Sequence, residues 1–176
     1  MKAKLKKGFV QVYTGNGKGK STAAFGLAMR AVGAGLRVFI AQFLKRGNYS
    51  EIKAIKQLKP TITVQQFGTG RFVMGKPSEL DVNAVRMGIK AVQDVIRKRA
   101  ADLVIMDEIN TVVSLKIISV KAILSLIAQK PVYMEIVLTG RNAPSALLKK
   151  ADLITEMKEI KHYYKKGIKA RRGIEF

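Results

Sequence analysis

The sequence predicts an α/β fold, a mostly parallel β-sheet with helices on both faces. Short apolar runs of the kind that form buried strands alternate with segments of helical periodicity. A glycine-rich stretch, "TGNGKGKST", joins the first predicted strand to the first helix. A later apolar run, "DLVIMDE", ends in two carboxylates at the point where a strand of such a sheet would reach its ligand-binding edge.

The first unit of this fold is a strand, a loop and a helix. Residues 8–13 ("GFVQVY") form an apolar run that is typical of a buried strand. Residues 20–32 ("KSTAAFGLAMRAV") have the composition of a helix, and Gly33 and Gly35 end it. Residues 36–43 ("LRVFIAQF") then predict the second strand.

The next part of the chain repeats the alternation with shorter elements. Ser50 is predicted to cap a short helix that ends at Leu58, because Pro60 cannot continue it. The β-branched run at 61–67 ("TITVQQF") predicts the third strand, followed by a loop.

A long helix is predicted from its cap at Ser78 to Lys98. Apolar residues recur along it at three- and four-residue spacing and form a core-facing stripe: Val82, Val85, Ile89, Val92 and Ile96. The remaining predicted elements are a buried strand at 102–108, a helix at 119–129, a strand at 131–139, a helix at 145–150 and a strand at 153–157. The tail at 158–176 has no clear period.

Composition limits the class of protein. A chain of 176 residues with 48% hydrophobic content suits a single domain spanning 1–176. The absence of cysteine excludes disulfide scaffolds, iron–sulfur clusters and thiolate zinc sites, and a single histidine excludes a metal centre of the HExxH type. After the basic start "MKAKLKKG" the apolar stretch ends at Thr14, so we expect no signal or spanning segment and a cytoplasmic protein.

The charge balance is strongly positive. Lys and Arg number 33 against 12 Asp and Glu, a formal net charge of +21. Nucleic acid, an acidic protein partner or a phosphorylated substrate would each suit this charge. A solvated lysine-rich surface without a polyanionic partner is an equally good explanation at this stage.

The glycine-rich loop predicts a phosphate site. Glycines expose backbone N–H groups, and the positive end of the following helix adds to them, so the loop forms a nest for phosphate oxygens. Lys20 adds a positive charge, and Ser21 is placed to offer its hydroxyl to Mg²⁺, as in the pattern GxxxxGK(S/T). Thr14 stands where the first glycine of that pattern falls, and Gly15 and Gly17 are additional. The sequence therefore predicts a P-loop NTPase-like fold.

The carboxylates of "IMDE" predict the second half of the site. A carboxylate at the end of a buried strand can hold Mg²⁺ or its water shell beside the phosphates. Asp107 and Glu108 are both candidates. The alternative is a purely structural carboxylate paired with a lysine.

Several other residues have two interpretations each. Arg141 in "TGRN" either reaches the phosphates or is a surface residue of a turn. His162 is a ligand or a packing residue, and Tyr163 and Tyr164 stack on nucleic-acid bases or close the edge of a cleft. Four methionines are interpreted as core residues: Met29, Met74, Met87 and Met106.

At the level of whole motifs the chain resembles the corrinoid adenosyltransferase family, the ATP:cob(I)alamin or cob(I)yrinic acid a,c-diamide adenosyltransferases. The resemblance runs from about residue 8 to 176 and is carried by "YTGNGKGKSTAAFGLAMRAVGAG", "VFIAQFLKRG", "VIMDEIN", "VLTGRNAP" and "EIKHYYKKGIKARRGIEF". It implies a P-loop-type α/β homodimer that transfers the 5′-deoxyadenosyl group of ATP to cobalt(I) of a corrinoid. Triphosphate would be the leaving group, because ATP would lie in the loop in the reverse sense.

The resemblance also implies residue roles. The loop would hold the triphosphate through Asn16, Gly17, Lys18, Gly19, Lys20, Ser21 and Thr22. Ser21 and Glu108 would hold Mg²⁺, and Lys20 and Glu108 would be the catalytic residues. Lys20 would offset the charge that grows on the departing oxygen. Reduced cobalt is itself the nucleophile, so no protein base is expected.

The chain departs from the family in the segment "FGTGRFVMG". Two aromatic residues of this loop displace the lower ligand of the corrinoid in the best-known members, and Arg71 and Val73 stand at those positions here. Phe72 lies between them and is predicted to be the main wedge at the corrinoid. We therefore expect corrinoids that lack the lower nucleotide base to react faster than complete cobalamin.

Three functions from different classes follow from the sequence. The first is the adenosyltransferase, with an acidic flavoprotein as the expected reductant. The second is a basic P-loop ATPase that acts with nucleic acid, favoured by the net charge of +21 and the Tyr-Lys tail. The third is a nucleotide-dependent binding module without turnover.

Overall fold

A computed structural model of the chain describes residues 5–57, 61–71, 73 and 75–176. Within these residues six strands form one sheet: β1 (Val10–Thr14), β2 (Val38–Phe43), β3 (Ile62–Phe67), β4 (Leu103–Asp107), β5 (Glu135–Thr139) and β6 (Leu153–Glu156). The strand order is β3-β2-β4-β5-β1-β6, and all neighbouring pairs are parallel. The predicted P-loop NTPase-like parallel sheet is confirmed.

The helices lie between the strands in the chain: α1 (Lys20–Gly33), α2 (Ser50–Lys56), α3 (Glu79–Arg97), α4 (Ile109–Ser114), α5 (Val120–Ala128) and α6 (Ser145–Lys150). A short 3₁₀ helix follows at Tyr163–Lys166. Ser78 caps α3, as predicted, and also forms a capping box with Asp81, while the Ser119 hydroxyl caps α5. Among the described residues, no helix is both long enough and apolar enough to span a membrane.

Two features of the local structure differ from the prediction, and a third prediction falls on residues that are not described. The N-cap of α2 is Tyr49, so Ser50 is the first helical residue and not the predicted cap. The predicted end of that helix, Leu58 and Pro60, lies outside the described residues. Helix α4 was not predicted, because its β-branched sequence INTVVS has weak helix propensity and no cap signal precedes it.

The methionine assignment is correct only in part. Met106 is fully buried, whereas Met29 and Met87 are 47% and 67% exposed on the outer faces of α1 and α3. Met74 lies outside the described residues. Both exposed side chains sit on helices that bury their other face, so an apolar type alone did not determine burial.

Apolar side chains cover both faces of the sheet. In β4, Val104 and Met106 face a cluster with α3, α4, α5 and α6, and Leu103 and Ile105 face a second cluster with α1 and α2. This alternation is the direct result of the two-residue period of a strand. With both faces covered, the carboxyl edge of the sheet is where loops can present polar groups.

The strand order brings distant parts of the chain together at that edge. β4 lies between β2 and β5, and β5 lies between β4 and β1. The glycine-rich loop after β1, the carboxylates after β4 and the turn after β5 therefore meet.

Candidate functional site

The glycine-rich loop is packed tightly against the end of β6. The Gly17 N–H donates to the Met157 carbonyl oxygen at 2.6 Å. A Cβ on Gly15 or Gly17 would lie only 2.5 or 2.6 Å from that oxygen, and Gly15 also has a positive φ of +93°. Gly19 ends the loop in the left-handed region at φ +117°. These contacts give the physical reason for the additional glycines, since a side chain would push the loop off the sheet.

Lys20 points back into the loop that precedes it. Lys20 is only 7% exposed, and its ammonium donates to the carbonyl oxygens of Gly15 and Gly17, both at 2.7 Å. Burial lowers the pKa of Lys20 from its ordinary value. The charge is thus held on the inner side of the loop, where phosphate oxygens would be received.

Asp107 is the most completely bonded side chain of the site. It is 0% exposed, and its Oδ1 accepts from the hydroxyls of Ser21 and Thr139, both at 2.7 Å. Its Oδ2 accepts from the Lys45 ammonium at 2.9 Å and from the Gln42 amide at 3.2 Å. Burial alone would raise the pKa of Asp107, but the Lys45 charge and the hydroxyl hydrogen bonds hold it below its ordinary value.

Glu108 is turned towards the cavity in front of Asp107. Its backbone is in the left-handed region at φ +65°, and its N–H donates to Thr139 Oγ1 at 3.0 Å. Its Oε2 accepts from the Thr111 hydroxyl at 2.7 Å, and its Oε1 lies 3.8 Å from Lys45 Nζ. Of the two predicted carboxylates, Glu108 is therefore half-buried and borders the cavity, whereas Asp107 lies behind it.

Lys45 is a site residue that the sequence reasoning missed. Its ammonium donates to Ser21 Oγ at 3.0 Å and to Asp107 Oδ2 at 2.9 Å. Burial alone would lower the pKa of Lys45, but the Asp107 and Glu108 carboxylates raise it above its ordinary value. The available signal was its position two residues past the end of a buried strand in "IAQFLKRG", at the same sheet edge as the loop.

Lys18 is directed away from the loop and towards the C-terminal segment. Its ammonium donates to Glu175 Oε1 at 2.7 Å, to the Ile174 carbonyl oxygen at 3.0 Å and to the Tyr163 hydroxyl at 3.1 Å. Tyr163 also bonds Glu175, and the Lys18 and Tyr163 hydrogen bonds lower the pKa of that carboxyl. Arg171 holds the second oxygen of Glu175. The tail, which has no period in the sequence, is thus fastened to the loop.

Two other predicted residues, Arg141 and His162, lie at the same opening. Arg141 is exposed and borders the cavity, and its backbone N–H donates to the Thr111 hydroxyl at 3.1 Å. His162 borders it as well, while its Nδ1 accepts from the Tyr164 N–H at 3.1 Å. Tyr164 itself is 71% exposed. His162 thus has a local capping bond and a place at the opening.

These groups surround a cavity of about 840 Å³. All seven loop residues from Asn16 to Thr22 border it, together with Glu108, Arg141 and the last four residues of the chain. Phe72 lies outside the described residues, but its neighbours Arg71 and Val73 both border the cavity.

The cavity is rich in positive charge. Its cationic side chains are Lys18, Lys20, Lys45, Arg46, Arg71 and Arg141, against the carboxylates of Glu51, Glu108 and Glu175. A concave surface with this excess attracts an anionic ligand. The loop, the buried carboxylate and the charge together suit a nucleoside triphosphate.

This fold and loop define the class of P-loop NTPase-like proteins. The chain is similar in structure to the flagellar accessory protein FlaH from Methanocaldococcus jannaschii, with a TM-score of 0.62, 13% identity, and coverage of 86% of this chain and 72% of that chain. It is also similar to a KaiC-like protein from Pyrococcus horikoshii, with a TM-score of 0.58, 12% identity, and coverage of 89% and 76%. At such identities the likeness shows the fold alone.

The family model described as ATP:corrinoid adenosyltransferase BtuR/CobO/CobP matches residues 6–176, and the chain belongs to this family. It is 31% identical to a corrinoid adenosyltransferase of Pseudomonas aeruginosa over 99% of this chain and 86% of the relative. It is 30% identical to a corrinoid adenosyltransferase of Escherichia coli over 99% of this chain and 88% of the relative. The resemblance read from the motifs is confirmed, and the enzyme class is a transferase whose family acts on ATP and a corrinoid.

Proposed function

We propose that this enzyme transfers the 5′-deoxyadenosyl group of ATP to the cobalt(I) of a corrinoid and releases intact triphosphate. The observation that carries the proposal is the cavity of about 840 Å³, which joins the phosphate loop to Gly70, Arg71 and Val73 and to the C-terminal residues. It therefore extends beyond the part that the triphosphate needs, and leaves room for the adenosyl group and an approaching acceptor.

The electron balance of this reaction needs no protein base. The electron pair of cobalt(I) forms the cobalt–carbon bond at C5′, and the C5′–O bond breaks, with its electron pair leaving on triphosphate. Cobalt is thereby oxidised to cobalt(III). What the chain must supply is positioning of the two substrates and stabilisation of negative charge on the leaving oxygen.

We infer that the loop residues provide that stabilisation. Lys20 is held by two carbonyl oxygens at 2.7 Å inside the loop, so its charge needs little rearrangement to meet a phosphate. Arg141 borders the same cavity. We assign the triphosphate to the loop residues from Asn16 to Thr22, with Lys18 released from Glu175 when it takes part.

The residues present also fit Mg²⁺. The hydroxyl of Ser21 and the carboxylates of Asp107 and Glu108 are hard oxygen ligands, and all three already surround one cation, the ammonium of Lys45, within 3.8 Å. We propose that Ser21 and Glu108 hold the metal together with phosphate oxygens. Bound there, Mg²⁺ would neutralise charge on the triphosphate.

Phe72 remains the proposed wedge at the corrinoid. Its neighbours Arg71 and Val73 border the cavity, which supports this position for the loop. Electron paramagnetic resonance of cobalt(II) corrinoid with ATP, for the wild type and Phe72→Ala, tests the proposal. Loss of the four-coordinate signal in the variant is expected. An unchanged signal in the variant would place the wedge elsewhere. Equal rates with complete cobalamin and incomplete corrinoids would refute the expected preference for incomplete corrinoids.

The surroundings of the enzyme are proposed on the same basis. An acidic flavoprotein as reductant is supported by the net charge of +21, and electron delivery should then slow steeply as salt rises.

A homodimer is supported by exposed apolar side chains on the edge strand β6, where Leu153 and Ile154 are 45% and 50% exposed. We further propose that residues 1–176 act as one domain in the cytoplasm.

The products made from ATP test the proposed function. With a chemically reduced corrinoid, chromatography should find equal amounts of tripolyphosphate and of the adenosylated corrinoid, which contains the new cobalt–carbon bond. No stoichiometric ADP should form. Lys90→Ala, an exposed change on α3, serves as the control variant and should behave as the wild type. Release of ADP and phosphate that depends on DNA or RNA would instead support the second candidate, a basic ATPase acting with nucleic acid, which the net charge favours.

A further inference from the structure

Lys45 occupies a position that a metal ion would also favour. Its Nζ lies 3.0 Å from Ser21 Oγ, 2.9 Å from Asp107 Oδ2 and 3.8 Å from Glu108 Oε1. These oxygens come from α1, from the end of β4 and from the residue after it. One ammonium therefore joins α1 to the two consecutive carboxylates at the end of β4.

The backbone holds Lys45 in this place. Leu44, which precedes it, has a positive φ of +57°, and its N–H donates to the Phe67 carbonyl oxygen at 3.0 Å. A Cβ on Gly68 would lie 2.5 Å from the Lys45 nitrogen, so the following strand-end passes directly against this residue. Lys45 therefore belongs to a close-packed turn whose backbone is held in place, unlike the backbone of a free surface loop.

The charge of Lys45 has a clear structural purpose. Asp107 is completely buried, and its other partners are neutral: two hydroxyls and one amide. A buried carboxylate without a cationic partner is strongly unfavourable. Among the described residues, Lys45 is the cation whose ion pair with Asp107 meets this need.

We propose that Lys45 is a positioning residue that acts as a resident cation. Its ammonium keeps the oxygens of Ser21, Asp107 and Glu108 converged while the site holds no nucleotide, and gives way to Mg²⁺ when the metal enters with ATP. The ammonium and Mg²⁺ are both positive and would repel each other strongly at contact distance, so they cannot occupy this position at the same time. Once displaced, the Lys45 side chain moves into the cavity that it already borders, towards the phosphate oxygens. The inference rests on the proposed Mg²⁺ site of the adenosyl transfer.

The test measures thermal unfolding with Mg²⁺ alone, without ATP or corrinoid. In the wild type Mg²⁺ should leave Tm almost unchanged, since the cation position is filled. Lys45→Met should lower Tm by roughly 5 °C or more, the size expected from unpairing a buried carboxylate in a chain of this length. Added Mg²⁺ should then recover at least half of that loss, because it binds only the folded state.

Arg46→Met is the matched control. Arg46 is the exposed neighbour of Lys45, so the variant makes the same change of charge in the same turn. It should show neither the loss of Tm nor the recovery. If Lys45→Met does not fold, the same measurement on Lys45→Gln decides, since the amide keeps a donor for Asp107.

Two results would overturn the inference. One is a Lys45 variant whose Tm does not respond to Mg²⁺, and the other is a wild type that Mg²⁺ alone stabilises as much as the variant. Neither result depends on the reaction. Failure to form tripolyphosphate would refute the proposed function and leave the resident cation intact, so the two failures are distinguishable.

Discussion

Replacement of Asp107 by asparagine tests the arrangement at the centre of the site. The carboxylate accepts four hydrogen bonds at 2.7 to 3.2 Å and is 0% exposed. An amide offers one acceptor oxygen and one donor group. If the amide oxygen of the variant faces Lys45 and Gln42, the amide nitrogen must donate to the two hydroxyls. In the wild type these hydroxyls donate to the carboxylate. Both hydroxyls must reorient, and Lys45 keeps only the more distant Glu108 carboxylate, at 3.8 Å, as a counter-charge.

The expected cost follows from the burial of this pair. Removing one partner of a buried ion pair costs about 3–5 kcal/mol. The Lys45 side chain remains 25% exposed and can be partly hydrated, so we expect the lower end, about 3 kcal/mol. This corresponds to a fall in Tm of roughly 6–12 °C for a chain of this length.

Equilibrium unfolding in denaturant measures the loss, with Asp94→Asn as the matched control. Asp94 makes a surface ion pair with Arg97, and both side chains are substantially exposed, at 40% and 73%. The same chemical change there should cost less than about 1 kcal/mol. Equal losses in the two variants would show that the buried network contributes nothing particular to stability.

The pH dependence gives an independent check on Asp107. Its pKa in the folded chain lies below its ordinary value, so its stabilising contribution is present above the unfolded pKa of about 3.9 and is lost as pH falls through the folded pKa. The difference in unfolding free energy between the wild type and Asp107→Asn should therefore be constant near neutrality and shrink in acid. If the difference in unfolding free energy instead increased in acid, folding would not lower the pKa of Asp107.

Three further predictions concern the loop and the metal. Lys20→Ala should lower the single-turnover rate more than ~10²-fold with an unchanged circular dichroism spectrum, and retained activity would refute its role at the leaving group. Glu108→Gln should raise the Mg²⁺ concentration needed for half-maximal activity, and an unchanged Mg²⁺ titration would make Glu108 structural. Gly17→Ala should weaken ATP binding about tenfold in calorimetry, because its Cβ would lie 2.6 Å from the Met157 oxygen. Gly26→Ala, where nothing lies within 4 Å of the new Cβ, should bind ATP normally.

The elements of this fold were predictable because their signals are local. The cap at Ser78, the apolar stripe of α3 and the buried run of β4 each lie within a few residues of sequence. Local signals failed where a neighbouring element decided the outcome. Helix α4 begins after a left-handed Glu108 that the Thr139 hydroxyl helps to hold, and nothing in its own six residues indicates that contact.

The candidate site was predictable to the same extent. Lys20, Ser21 and the two carboxylates follow β1 and β4, and the carboxyl ends of parallel strands meet at one edge, so their proximity could be inferred without the strand order. The sequence by itself thus determined which chemical groups are available, and its motifs identified the family.

Tertiary structure alone decided which of those groups meet. Lys45 and Gln42 reach Asp107 because β2 pairs with β4, with Gln42 opposite Asp107. Lys18, predicted only as a phosphate ligand, contacts Glu175, 157 residues further along the chain. The physical reason is that strand pairing and tail docking depend on the packing of surfaces far apart in sequence, and no short-range pattern encodes which surfaces pair.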